Sequence, residues 1–303
     1  MAKEKIRRGD RFDGVWLREE PALNQFMAYL YRNRADNEAY INEEIDLRPI
    51  EAYLAKKNEG LTEDKYTYFH IICSAVVKAF VLRPKMNRFI SGNRLYQRKY
   101  LSVAFVVKKR FSDHAEEGLA FRKFDETSTI DKLHESLMDE IHTQRREDMV
   151  DNSTHFMEKL MKLPRWVLRL VMKVLFSLDR KGKVPYDLIK EDPNYSSIFL
   201  TNLGSIDLSC GYHHLSNWGT CSCFVVIGKK HLAPACHEDG TVTTIPVLNI
   251  GVTLDERISD GYYYAKTMKL LKHLLAHPEL LERPAGEEVD YLPKDDRRFA
   301  VEN

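Results

Sequence analysis

The chain has 303 residues, 44% of them hydrophobic, enough to bury a substantial core in one large domain or two small ones. Its 46 Lys and Arg against 45 Asp and Glu leave a formal net charge of +1, and the signs are mixed along the chain, so no global field would draw it onto nucleic acid. The basic opening Met1 to Arg8 leads into no apolar signal core, and no run of about 18 to 20 apolar residues occurs, so neither a secretory leader nor a transmembrane helix is expected.

Five cysteines, Cys73, Cys210, Cys221, Cys223 and Cys236, are an odd number in a chain of this size, which argues for reduced thiols and a cytoplasmic location. Walker A, Gly-x-Gly-x-x-Gly and His-Glu-x-x-His signatures are missing, so nucleotide-binding and zinc-protease readings lack support. Phe26 to Tyr31 reads as a helix, and Ala39 to Leu47 alternates as a half-buried strand does. Pro49 then opens a short helix through Leu54. Phe69, Ile72, Cys73, Val76, Val77 and Phe80 recur at helical spacing within a buried helix over 66–82, stopped before Pro84. Leu101 to Val107 is a buried strand.

Between about 129 and 146, Ile130, Leu133, Leu137 and Ile141 mark the apolar face of an amphipathic helix, with His134 and His142 expected on its surface, too far apart to share a metal. A composition change over about 152–190 suggests an insertion in a single domain whose core spans about 20–285. Within it Pro164 opens a helix in which Arg165, Arg169, Lys173 and Ser177 recur every four residues amid apolar neighbours from Trp166 to Phe176. Two readings of this segment, 164–178, stand: a lid buried over a substrate channel or between subunits, or a helix lying on a membrane surface.

Ser197 to Leu200 and Cys223 to Gly228 follow as strands, and Asp239-Gly240 has the form of a two-residue hairpin turn. The strand from Thr243 to Leu254 delivers the chain into Asp255 to Gly261, and a helix with Ala265, Met268, Leu271 and Leu275 inward ends at Pro278. Strands and helices alternate without strict βαβ repetition, which predicts an α/β sandwich with a mixed sheet.

The run Asp255-Glu256-Arg257-Ile258-Ser259-Asp260-Gly261 resembles the Asp-His-Arg-x-x-Asp-Gly motif of dihydrolipoamide acyltransferases, within the chloramphenicol acetyltransferase-like superfamily, with Glu256 at the place of the histidine. Three further segments agree in order: Phe199-Leu200-Thr201-Asn202-Leu203-Gly204-Ser205 is similar to the family's Thr-x-Ser-Asn-Leu-Gly strand end, Lys78-Ala79-Phe80 to Pro84 and Asn87 to its helix exit, and Ile45-Asp46-Leu47 to its Val-Asp-Met strand. Glu238-Asp239-Gly240 looks like the turn before the motif strand. The resemblance implies a two-layer chloramphenicol acetyltransferase-like sandwich, an acyl-CoA substrate with no bound cofactor, and a homotrimer with its site between subunits. Lipoyl and subunit-binding modules normally precede such a domain; this chain begins almost at the domain, so no covalent lipoyl group is expected.

By the same resemblance the catalytic base stands at position 256, Thr201 steadies the oxyanion, Asp260 pairs with an arginine to hold the loop, and Asn202, Gly204, Arg257 and Gly261 lie at the substrate. Asp260 with Ser259 also suits the N-cap of the last helix. Proton transfer from a thiol of pKa about 8.5 costs about 5.7 kcal/mol to a carboxylate at about 4.3, against about 2.7 to an imidazole at about 6.5, so a glutamate base forfeits about 3 kcal/mol unless burial raises its pKa. Two alternatives stay open. His213 or His214 replaces the missing imidazole, or the chain has lost the reaction and serves as an acyl-CoA- or lipid-binding or scaffolding protein. Cys210, His213, His214, Cys221 and Cys223 have the composition of a zinc site, but alternation through Cys221 and Cys223 favours apolar packing, and no metal is expected.

Overall fold

The computed structural model describes residues 7–108, 117–144, 160–190, 192–237 and 239–291. In chain order its elements are β1 (Gly14–Trp16), α1 (Ala22–Leu30), β2 (Glu38–Asp46), α2 (Arg48–Lys57), α3 (Tyr68–Leu82), β3 (Arg88–Ser91), β4 (Arg94–Arg98), β5 (Leu101–Lys108), β6 (Glu117–Phe124) and α4 (Ile130–Gln144). Then come α5 (Arg165–Arg180), β7 (Ile198–Asn202), β8 (Cys223–Ile227), β9 (His231–Cys236), β10 (Val242–Asp255) and α6 (Gly261–Ala276). The main sheet runs β2-β10-β8-β7-β5-β6, with β9 on the first half of β10 and a separate three-stranded sheet β1-β4-β3. The β5–β7 and β7–β8 pairs are parallel and the rest antiparallel, giving the expected mixed sheet.

Alternation divides the main sheet into two faces. Ile198 and Leu200, Cys223, Val225 and Ile227, and Leu248, Ile250, Val252 and Leu254 turn toward the helices and join one core with Ile71, Val76, Leu270 and Leu274. Phe199, Thr201, Phe224, Val226, Gly251, Thr253 and Asp255 point to the other face. There Phe224 and Val226 form a smaller cluster with Leu215. The helix α3 starts on a capping box in which Thr67 and His70 exchange bonds, which satisfies backbone N–H groups at its first turn.

Three expectations need correction. The chain between β9 and β10 does not reverse over two residues: the His237 N–H donates to Thr241 O at 2.9 Å, and Gly240 adopts φ 82°. That is a three-residue loop with glycine at its left-handed position, and Glu238 lies outside the described residues. His134 is not a plain surface residue, because its ring stacks on Tyr66 at 3.9 Å and lies 4.6 Å from His70, and the Tyr66 segment covers it. His142 is exposed and meets Asp64 at 3.0 Å. Within one chain α5 is not a buried lid either: Asp179 alone of its residues is buried. The helix is anchored through its last turns, where Phe176 packs on Trp218 and Asp179 accepts from Tyr195 Oη at 2.7 Å, 3.7 Å from the Arg11 guanidinium. Among the cysteines, Cys223 faces the helix-side core whereas Cys210 packs against the other face, so the sheet itself lies between these two thiols. Of the inserted segment, residues 152–159 lie outside the described residues.

Candidate active site

The end of β10 is fixed by a buried ion cluster. Asp255, fully buried, accepts two bonds from Arg257, Nε at 2.8 Å and Nη2 at 2.7 Å, and lies 3.5 Å from Nε of buried Arg34. Arg257 also donates to Tyr31 O at 2.7 Å, and Arg34 to the carbonyls of Ser216, Ile90 and Gly219. Burial holds the Arg34 guanidinium below its ordinary pKa, and Asp255 only partly restores it. The cluster therefore ties three chain segments to one carboxylate. Tyr264 Oη donates to Asp255 O at 3.0 Å and accepts from Ser259 N–H, which closes the turn into α6.

This geometry assigns Arg257 to the scaffold, since each nitrogen of its guanidinium already has a protein acceptor. The arginine-paired carboxylate is Asp255 rather than Asp260. Asp260 is the N-cap of α6, accepting from Tyr263 N–H at 2.9 Å, and both it and Gly261 are exposed. A Cβ added at Gly261 would meet nothing within 4 Å. Glu256, between the two buried residues, donates its backbone N–H to Asn37 O at 2.8 Å and directs an exposed side chain into solvent.

Thr201 lies on the sheet face that also carries Asp255, but at another level. It pairs with Val226, and Val226 pairs with Gly251, five residues before Glu256. At about 3.3 Å per residue this separates Thr201 from Glu256 by roughly 16 Å along the strands, before two strand spacings are added. Asn202 is one residue farther away, and Gly204 is needed for packing: an added Cβ would sit 2.7 Å from Gly228 O.

The loop after β7 fills the distance between Thr201 and Glu256. Gly211 O lies against Gly251, where an added Cβ would approach it to 2.4 Å, so β10 needs a glycine for the loop to cross. Two residues on, His213 stacks on Phe224, with centroids 4.4 Å apart and planes at 6°, and Phe224 pairs with Thr253. Two further on, Leu215 N–H donates to Glu38, whose backbone pairs with Asp255. His213 and His214, both exposed, thus occupy the levels between Thr201 and Glu256. Cys210, packed beneath the loop, has its thiol pushed up by burial, which argues against a thiolate nucleophile there.

Openings flank the strip at both ends. Toward Thr201, a cavity of about 480 Å³ is lined by Asn42, Cys210, Tyr212, Lys229, His231 and Asn249. Toward Glu256, one of about 110 Å³ is lined by Arg32, Arg34, Arg180, Arg257, Asp179 and Asn217. Among the described residues no group of three or more His, Cys, Asp or Glu is placed to hold a metal ion. Reading the sequence overlooked Asp255 and Arg34; the Asp-x-Arg spacing at 255–257 was the available signal for the first, whereas Arg34 comes from a distant loop with none.

No protein-family model matches the sequence, and no curated protein matches it. Solved structures do. A probable dihydrolipoamide acetyltransferase from Listeria monocytogenes matches with a TM-score of 0.54 and 13% identity over 89% of this chain and 93% of that one. A truncated catalytic core of the 2-oxoacid dehydrogenase multienzyme complex from Thermoplasma acidophilum matches at 0.51 and 14%, over 91% and 99%. A chloramphenicol acetyltransferase matches at 0.51 and 12%, over 86% and 99%. With the mixed sheet and helical layer already described, these likenesses give the chain the chloramphenicol acetyltransferase-like fold.

Proposed function

We propose that the protein is an acyltransferase that moves an acyl group from a CoA-type thioester to a thiol or hydroxyl acceptor, at a site assembled between copies of the chain. The observation that carries this reading is the register of β7, β8 and β10: Thr201 stands level with Gly251, and Glu256 follows the far end of β10, too far away to serve one carbon atom within a single chain. A closed ring of identical copies sets one end of a surface against the other end of the next. In a trimer, Thr201 of one copy meets Glu256 of another.

The chemistry then runs as follows. Glu256 takes the proton of the acceptor as its sulfur or oxygen attacks the thioester carbon, and the Thr201 hydroxyl donates to the oxygen that becomes negative. Collapse of the tetrahedral adduct releases the CoA thiolate, and Glu256 returns the proton to it. A neighbouring copy that covers the exposed carboxylate also takes it out of water, the setting in which a glutamate serves as a base. His213 is the other candidate base, since it lies nearer to Thr201 in the same chain. Exposed Arg32, which lines the cavity beside Arg257, suits the phosphates of CoA, and the larger cavity suits the acceptor. Reduced thiols are consistent with a cytoplasmic enzyme: the five cysteines are free.

The exposure of Glu256 in the single chain favours one second reading, an inactive member of the fold that retains acyl-CoA or lipid binding or acts as a scaffold. A panel of acyl-CoAs with a free-thiol readout separates the two. Transfer by the wild type that falls at least a hundredfold in Glu256→Ala supports the enzyme. A wild type silent with every donor, beside a Glu256→His variant that gains activity, supports the inactive reading, whereas equal rates in wild type and Glu256→Ala move the base to His213 or His214.

A further inference from the structure

We propose that the solvent-facing side of α5 docks the protein on an anionic membrane surface, an inference that stands apart from the acyltransferase reading. The exposed half of this helix divides lengthwise into two sectors. One carries Arg165, Arg169, Lys173 and Arg180, all exposed. The adjoining one carries Trp166, Leu170 and Val174, which are 71%, 56% and 51% exposed. Arg165, Arg169 and Lys173 advance four residues at a time, as do Trp166, Leu170 and Val174, and Arg180 follows seven residues on, so basic and apolar groups form adjacent parallel stripes along the helix. Just before the helix, exposed Met161 and Lys162 add one of each kind.

Charge decides the occupant. Between 160 and 183 stand seven Lys and Arg and one acidic residue, Asp179, in a chain whose net charge is only +1. Asp179 is buried with Arg11 and Tyr195, so the exposed charge of this segment is wholly positive. The same helix from a second copy, laid against this one, would bring like charges together. A layer of anionic headgroups over hydrocarbon instead satisfies both stripes, with the cations at the phosphates and the indole at the interface. No described helix is long and apolar enough to cross a membrane. At 16 residues, or about 24 Å, α5 has the length to lie along the surface. Its anchoring through Phe176, Asp179 and the turn at Gly182, where φ is 63°, leaves the half bearing Trp166 and Leu170 outward.

The test is co-sedimentation of the full chain with vesicles of phosphatidylcholine alone and of phosphatidylcholine mixed with phosphatidylglycerol, with mass in solution measured in parallel. The wild type pellets with the mixed vesicles and stays in the supernatant with the neutral ones, and emission from Trp166 shifts to the blue on binding. Leu170→Glu, at an exposed position, lowers partitioning at least tenfold. The triple variant Arg165→Gln, Arg169→Gln, Lys173→Gln lowers it by about fivefold per charge removed. A wild type that ignores the mixed vesicles, binds both kinds equally, or binds as well in both variants overturns the proposal. So does a Leu170→Glu variant that changes the oligomeric mass while the wild type stays off vesicles, which assigns the face to a second copy.

Discussion

Two sets of residues alternate within the run from Asp255 to Gly261, and their surroundings differ completely. Asp255, Arg257 and Ile258 are buried and bound from several sides, whereas Glu256, Asp260 and Gly261 face solvent. One short motif therefore serves two purposes. The buried members fix the backbone at the end of β10, and the exposed ones are presented by it. The Glu256 side chain faces solvent, so a substitution there leaves the buried anchor untouched.

The sharpest way to break this contrast is Asp255→Ala. It strands two buried guanidiniums, and a loss of about 3–5 kcal/mol in urea unfolding is expected. Next in size is a contrast between histidines. His70 is 3% exposed, its Nδ1 accepts from Thr67 N–H, and burial lowers its pKa to about 3, whereas His213 stands in the open. The folded state thus takes up this proton only near pH 3, while the unfolded chain takes it up near 6.5, so the contribution of His70 is complete above about pH 6.5 and is lost as pH falls toward 3. Unfolding at pH 7 and pH 5 should differ by about 2 kcal/mol from this group, and a His70→Gln variant should flatten that difference. Smaller again, Asp260→Ala removes the cap of α6 and costs about 1 kcal/mol. Glu256→Ala should leave stability within about 0.5 kcal/mol of the wild type.

How much of this was legible in the sequence follows from the range of each interaction. The helix α4 announces itself through local periodicity because one face meets the core, whereas α3 and β5, buried almost all round, are marked by continuous apolar runs. The reversal before β10 was recognisable from Asp239-Gly240, but its length depended on the His237–Thr241 pairing across it. His134 looked exposed because the helical pattern says nothing of Tyr66, a residue from another segment, that covers it. Arg34 escaped notice for the same reason: its partner Asp255 is more than 200 positions away. The candidate site residues were identified by motif, and the motif carried no information that Thr201 stands level with Gly251, several residues short of the end of β10 where Glu256 follows. That fact comes from the register of three strands, which no single segment encodes.

The account stands or falls on whether one site draws its two groups from different copies. Thr201→Ala and Glu256→Ala chains, each nearly silent alone, should be produced together and assayed as mixed oligomers, with the mass checked against three times the 35.4 kDa chain. If the site lies between subunits, random mixing pairs an intact Thr201 with an intact Glu256 at about one interface in four, and roughly a quarter of wild-type transfer returns. Mixed oligomers as inactive as either parent would contradict the account.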